Sequence, residues 1–219
     1  MSKLIQKNLR LALFDFDGTL CRANSYHEFL KWLVSRGMPY GPTIAGALAL
    51  RKAKLITRPT LMNMALKYLA GKTRTEVEAI GQTIFESRLF PKLNPIGLAE
   101  IQRRRDDGYK VVVLSGAFDF ILKHFCDRHD IDHWQSTQIA YQDSVCSGRL
   151  DGVEFLGEAK RAYLKNHFSQ MGVDWNQSCA YSDEIVDAPL FSMVGNRFLV
   201  GRRFQDVSCE LSDIRQIRW

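Results

Sequence analysis

The chain has 219 residues, 46% hydrophobic and 25% charged, with a formal net charge of +6 and a pI near 9.1. Those values fit an ordinary globular chain of one large domain, or a core with an insertion, and the positive balance suits an anionic substrate, an acidic membrane surface or nucleic acid. The five cysteines are odd in number and form no C-x-x-C pair, which excludes a disulfide framework and sets a cytoplasmic location as the expectation.

Residues 9–14 read as a buried strand. The apolar run Leu11-Ala12-Leu13-Phe14 is too short for a signal-peptide core. It leads directly into Asp15-Phe16-Asp17-Gly18-Thr19. Side chains alternate along a strand, so Asp15 and Asp17 leave it on the same side. Two carboxylates held that close repel, and one pKa rises unless a cation intervenes. A divalent metal with oxygen ligands would supply that cation. Gly18 and Thr19 allow a tight turn and offer donors to an anion. The plain alternative is an Asp-rich turn at a strand end.

Residues 22–88 read as wholly helical. Ser25 with Glu28 makes a capping box, and Phe29, Leu30, Leu33 and Val34 form a helical face closed by Gly37 and Pro39. The stretch Ile44 to Leu50 is the most lipid-like, yet far short of the ~20 residues that span a bilayer. A core helix is expected there, with a membrane-surface contact as the alternative. A helix from about 60 to 70 stops at Gly71, and another starts near Thr75 with Glu78 as its capping partner. Gly71-Lys72-Thr73 imitates the end of a P-loop, but no glycine stands at position 66 and no strand precedes it.

Strands and helices alternate after Phe90-Pro91. Asn94-Pro95 opens a helix to Asp107-Gly108, whose Arg103-Arg104-Arg105 run is expected to be a solvated helix end rather than a nucleic-acid patch. Tyr109 to Leu114 reads as a strand stopping at Ser115, followed by a helix to about His129. Thr137 to Tyr141 reads as a strand, Ser147-Gly148 as a turn, and Arg149 to Phe155 as the return of a hairpin. A helix starts at Lys160. Ser178 to Ser182 is a short strand ending at Asp183, and Arg197 to Val200 is the last strand expected. His124, His129 and His133 lack a suitably spaced third zinc ligand and are expected to be capping or surface residues. The alternation implies an α/β fold, a parallel sheet with helices on both faces.

Three apolar runs thus stop at Asp15, Ser115 and Asp183. In open parallel sheets ligands bind beyond the carboxyl ends of the strands, so these residues can converge, with Lys160 and Asp187 nearby. The set Asp15-Phe16-Asp17-Gly18-Thr19-Leu20, Val113-Leu114-Ser115-Gly116, Gly157-Glu158-Ala159-Lys160 and Tyr181-Ser182-Asp183 with Asp187 resembles the four motifs of the haloacid dehalogenase superfamily, in its phosphoserine phosphatase-like branch. The resemblance covers nearly the full length. It implies a Rossmann-like core over residues 1–21 and 89–219 and a helical cap domain inserted over residues 22–88.

The resemblance also implies roles. Asp15 would attack phosphorus to form an aspartyl-phosphate, and Asp17 would serve as acid and then base. Mg²⁺ would be held by the Asp15 carboxylate, the Asp17 carbonyl and Asp183. Ser115 and the Gly116 amide would bind phosphoryl oxygens. Lys160 would neutralise nucleophile and phosphate, and Asp187 would orient Lys160 or a water of the metal. The implied activity is hydrolysis of a small organic phosphomonoester. A lipid phosphate of the phosphatidylglycerophosphate type, transfer to another acceptor, or phosphate binding without catalysis are the alternatives. Relatives place a Glu where this chain has Asn24, so an amino group on the substrate would lack its anionic partner. Glu184 and Val186 also depart from the usual fourth motif. Glu184 is expected to face solvent, with an added carboxylate beside the metal as the alternative.

Overall fold

The structure is a computed structural model that describes residues 8–37, 40–201 and 213–218. Its strands are β1 (Leu11–Phe14), β2 (Lys110–Phe118), β3 (His133–Thr137), β4 (Ile139–Gln142), β5 (Val145–Leu150), β6 (Cys179–Ser182), β7 (Asn196–Val200) and β8 (Ile214–Ile217). Six of them form one parallel sheet in the order β3-β2-β1-β6-β7-β8. The chain builds outward from β1 to one side, then returns to build the other. The order therefore reverses beside β1, which opens a crevice at the carboxyl ends of β1 and β6.

Both faces of the sheet are covered, as continuous apolar strands require. Leu11, Leu13, Val112, Leu114 and Ala180 pack into one apolar cluster with α7 (Glu158–His167) and α8 (Ala188–Phe191). The alternate residues Ala12, Phe14, Val111, Val113 and Tyr181 join the other cluster. That second cluster includes α5 (Pro95–Asp106), α6 (Asp119–Arg128) and the helices inserted after β1. Phe14, Tyr181 and Phe198 stack across three neighbouring strands at centroid spacings of 4.6 and 4.7 Å.

The segment between β1 and β2 holds α1 (Ser25–Val34), α2 (Tyr40–Lys52), α3 (Arg58–Leu66) and α4 (Arg74–Ile84), with short 3₁₀ and π turns up to Lys92. Pro39 and Cys209 lie outside the described residues; the other four cysteines are free and buried. No helix among the described residues is long and apolar enough to cross a membrane.

Several local expectations change. Asn24, not Ser25, caps α1, accepting from the His27 N–H at 3.0 Å. The capping box at α4 joins Thr73 to Glu76, two residues before the expected pair, because Gly71 ends the previous turn at a φ of +79° and leaves Thr73 extended. Gly71 and Lys72 exchange backbone bonds with Cys146, so this P-loop imitation is a docking point for the β4–β5 hairpin. That hairpin turns at Asp143-Ser144, both at positive φ, and Ser147-Gly148 lies within β5. The strand expected over 137–141 is two strands, β3 ending at Thr137 and β4 beginning at Ile139. β8 carries no alternating pattern and was not expected. Arg104 is buried rather than solvated, donating to Glu100 and to the Tyr181 hydroxyl. Of the expected core helix α2, only Gly41, Ile44 and Ala47 are buried.

Candidate active site

Sheet register assembles the site. Phe14 pairs with Val113 on one side and with Tyr181 on the other. Asp15, Ser115 and Asp183 therefore stand within two residues of a single row across three strands. The Asp15 N–H donates to the Tyr181 carbonyl at 2.9 Å, which fixes the residue at the strand end. Beyond Ser115 the β2–β3 register shifts, so Gly116 and Ala117 bulge out of the ladder. A bulge there re-aims the backbone toward the crevice. The Ser115 side chain is buried and accepts from the Ala117 N–H at 3.1 Å. Thr137 holds the Gly116 carbonyl at 3.0 Å from the neighbouring strand.

Lys160 comes from the first turn of α7 and is buried. Gly157 makes that approach feasible: its φ is +45°, and a Cβ there would sit 2.9 Å from the Val186 carbonyl oxygen. The Lys160 ammonium donates to Asp15 Oδ1 at 2.8 Å and to Asp187 Oδ2 at 2.7 Å. Ser182 donates to the same Asp187 oxygen at 2.7 Å. Asp187 Oδ1 is buried and has no hydrogen-bond partner. Glu184 and Val186 are exposed, so Glu184 faces solvent as expected.

Asp17 turns toward the inserted helices. Its two carboxylate oxygens accept from the Ser25 N–H at 2.9 Å and the Ser25 hydroxyl at 2.8 Å. Ser25 opens α1, so the first helix after β1 aims this carboxylate. The sequence alone does not announce that role, because Ser-x-x-Glu also reads as a helix cap. The available signal was the adjacent Asn24, an equally good N-cap that leaves the serine for other work. Ser25→Ala is expected to lower kcat on the order of tenfold with little change in KM, since one charged hydrogen bond of about 1.5–3 kcal/mol is lost and Asp17 loosens. Ser25→Thr should restore most of the rate, and a steady-state comparison of the three proteins checks this.

The electrostatics form one system. Burial holds the Asp15 carboxyl well above its ordinary pKa; Lys160 works against that, while Asp187 and Asp183 reinforce it. Burial pushes Asp17 up to about 6, although the Ser25 bonds, Lys160 and Arg58 pull it down. Asp183 rises to about 7 through burial first, then the charges of Glu184, Asp17 and Asp187. Burial pulls the Lys160 ammonium down, but Asp15 and Asp187 outweigh it, and its pKa ends above the ordinary lysine value. Four acids thus crowd one ammonium. The donors are hard oxygens, and burial first, then neighbouring carboxylates, hold the Asp15 and Asp183 pKa values up, which is the environment a divalent cation would relieve. Among the described residues no three His, Cys, Asp or Glu side chains gather as a ready metal cage. The residues fit Mg²⁺, which takes one or two carboxylates and keeps several waters.

Gly18 is the tightest point of the site. Its φ is +77°, and a Cβ would fall 1.9 Å from Asp183 Oδ2. Gly18→Ala must therefore displace Asp183 as well as strain the turn. We expect a stability loss of about 1–2 kcal/mol from the left-handed backbone alone, read by denaturant unfolding, with phosphate release reduced more than stability.

The histidines do not converge: His124 Nε2 lies 3.0 Å from the Glu78 carbonyl, His129 packs on Phe125, and His133 sits beside Lys110.

The chain is similar to several known proteins. Over 116 residues the chain is 30% identical to a phosphoserine phosphatase of Polaromonas sp., covering 51% of this chain and 48% of that protein. It is 24% identical over 192 residues to phosphoserine phosphatase SerB1 of Mycobacterium tuberculosis, covering 84% of this chain and 62% of the relative. The match therefore spans about half to three-fifths of those relatives' own lengths. A crystal structure of a protein of unknown function from Bordetella pertussis Tohama I shares the fold, with a TM-score of 0.76 at 21% identity over 89% of this chain and 91% of that one. Residues 12–192, which contain every motif described above, match the haloacid dehalogenase-like hydrolase family, and the chain belongs to it.

Proposed function

We propose that this protein is a Mg²⁺-dependent phosphatase that hydrolyses an organic phosphomonoester through a phosphorylated Asp15. The observation that carries the reading is the Lys160 ammonium bridging Asp15 and Asp187 inside the crevice. A buried lysine held on one oxygen of a carboxylate favours the charged form against the pull of burial and orients the group for attack, while its other oxygen is unengaged by the lysine.

In this reading the Asp15 carboxylate displaces the substrate alcohol from phosphorus. Asp17, held near neutral pKa, gives its proton to the leaving oxygen. It then takes a proton from the water that cleaves the aspartyl-phosphate, returning Asp15 and releasing phosphate. Ser115 and the Gly116 amide hold phosphoryl oxygens, and Lys160 balances the charge that accumulates on them. Asp187 keeps Lys160 in place. The Asp15 and Asp183 carboxylates and the Asp17 carbonyl would hold Mg²⁺, whose charge offsets repulsion between carboxylate and phosphate. The helical residues 22–88 act as a cap that encloses the leaving group and excludes water, and Ser25 makes the acid/base carboxylate depend on that cap.

Asn24 spends its side-chain oxygen on the α1 cap and carries no charge, which argues against a substrate anchored there by an amino group. The test is phosphate release from a generic aryl phosphate with and without Mg²⁺, followed by a panel of phosphorylated sugars, amino acids, nucleotides and lipids. Turnover that needs Mg²⁺ is expected. A folded protein that binds phosphate but releases none from any of them would leave a binding module as the better description.

A further inference from the structure

The charge of this chain is segregated. Residues 29–75 hold nine of the 30 Lys and Arg and none of the 24 Asp and Glu. The rest of the chain then has 21 basic against 24 acidic residues, so the net +6 is +9 from one segment and −3 from everything else. α2 lies at the centre of that segment. It buries Gly41, Ile44 and Ala47 along one line and turns its other side to solvent. Pro42, Ala45, Gly46 and Ala49 are exposed there, and Leu50 is 44% exposed. Arg51, Lys52 and Lys54 follow at once, then Leu55 at 71% exposure, the most exposed large apolar residue of the segment.

An uncharged helix face about 16 Å long, at ~1.5 Å per residue, is thus followed by a basic turn with a protruding leucine. We propose that this face seats the protein on an anionic phospholipid bilayer, with α2 lying along the surface. The two features supply the two contributions that interfacial binding needs, apolar insertion and attraction to anionic headgroups. The competing occupants fit less well. A second copy docked through the same patch would bring two strongly positive surfaces together. Nucleic acid would satisfy the cations but leave the aliphatic face wet. Tyr40, the exposed aromatic ring of α2, is already packed edge-on against Tyr68. The inference stands on the surface and not on the catalytic reading.

The test is co-sedimentation of the full chain with phosphatidylcholine vesicles, with and without phosphatidylglycerol, at low and high salt. Partitioning should require the anionic lipid and weaken with salt. Leu50→Glu with Leu55→Glu should lower partitioning on the order of tenfold or more, and neutralising Arg51, Lys52 and Lys54 to Gln should remove the preference for phosphatidylglycerol. Both variants should keep the parent's circular dichroism and thermal midpoint. Asp15→Asn should bind as the parent does, so lost turnover and lost binding report separately. The proposal is overturned by no partitioning, by equal partitioning to neutral vesicles, by unchanged binding of the Leu50/Leu55 variant, by preferential capture on DNA, or by a concentration-dependent dimer that the Leu50/Leu55 variant dissolves.

Discussion

Asp15→Asn is expected to reduce phosphate release by at least about 10⁴-fold while the protein stays folded. Asparagine keeps the shape of the side chain and one oxygen, but it has no charge with which to displace an alkoxide. The stability side of the prediction follows from burial. Asp15 has a folded pKa raised above its ordinary value, so its contribution is most favourable below about pH 4, where it is protonated in both states. That contribution is lost as pH rises through the raised folded value. Removing the charge therefore removes a cost at neutral pH along with an ion pair. Lys160 keeps Asp187 at 2.7 Å and is not stranded. The thermal midpoint of Asp15→Asn should lie at or near that of the parent at pH 7 and should depend less on pH between 4 and 7. Undiminished turnover by this variant would end the proposed mechanism; a large fall in the midpoint would instead show that the Asp15–Lys160 pair holds the fold.

What could be read from sequence was whatever depends on the carboxyl ends of strands. Asp15, Ser115 and Asp183 each end an apolar run, and parallel pairing alone brings such ends together. Lys160 needed one more step, because only its position at a helix start suggested that it points inward. The parts that were not legible depend on contacts between distant segments. Ser25 faces Asp17 because the chain turns between them and brings the start of α1 onto that carboxylate, and Ser-x-x-Glu has the same letters whether it caps a helix or holds an acid. Arg104 looked solvated beside two other arginines; its burial follows from Tyr181, 77 residues away, offering a hydroxyl across the sheet face. The hairpin turn was misplaced because Ser-Gly is a stronger turn signal than Asp-Ser, yet Asp143 and Ser144 take the two positive φ angles. Docking of Cys146 against Gly71 and Lys72 fixes that register from outside the hairpin.

Lys160→Met should be the single change most damaging to stability, and it should cost turnover as well. It leaves Asp15 and Asp187 buried with no cation between them. Breaking a buried ion pair by removing one partner costs about 3–5 kcal/mol, and here one ammonium serves two carboxylates. The sign with pH is set by which groups titrate. Lys160 has a folded pKa above the ordinary lysine value, so its stabilisation is fully present at neutral pH and fades only in strong alkali. The variant therefore shows its full deficit near pH 7. As pH falls toward 4 Asp15, whose pKa burial already raises, takes up a proton, the repulsion between the two acids falls, and the gap to the parent should narrow. Denaturant unfolding of both proteins from pH 4 to 8 measures this. Turnover should fall by at least about 10³-fold, since nucleophile and phosphate lose their shared counter-charge. A second substitution separates the two effects. Adding Asp15→Asn to Lys160→Met removes one of the stranded charges, so it should recover a substantial part of the lost stability and none of the lost turnover. If the double variant were no more stable than Lys160→Met alone, the repulsion between Asp15 and Asp187 could not be the source of the loss, and Lys160 would matter through packing instead.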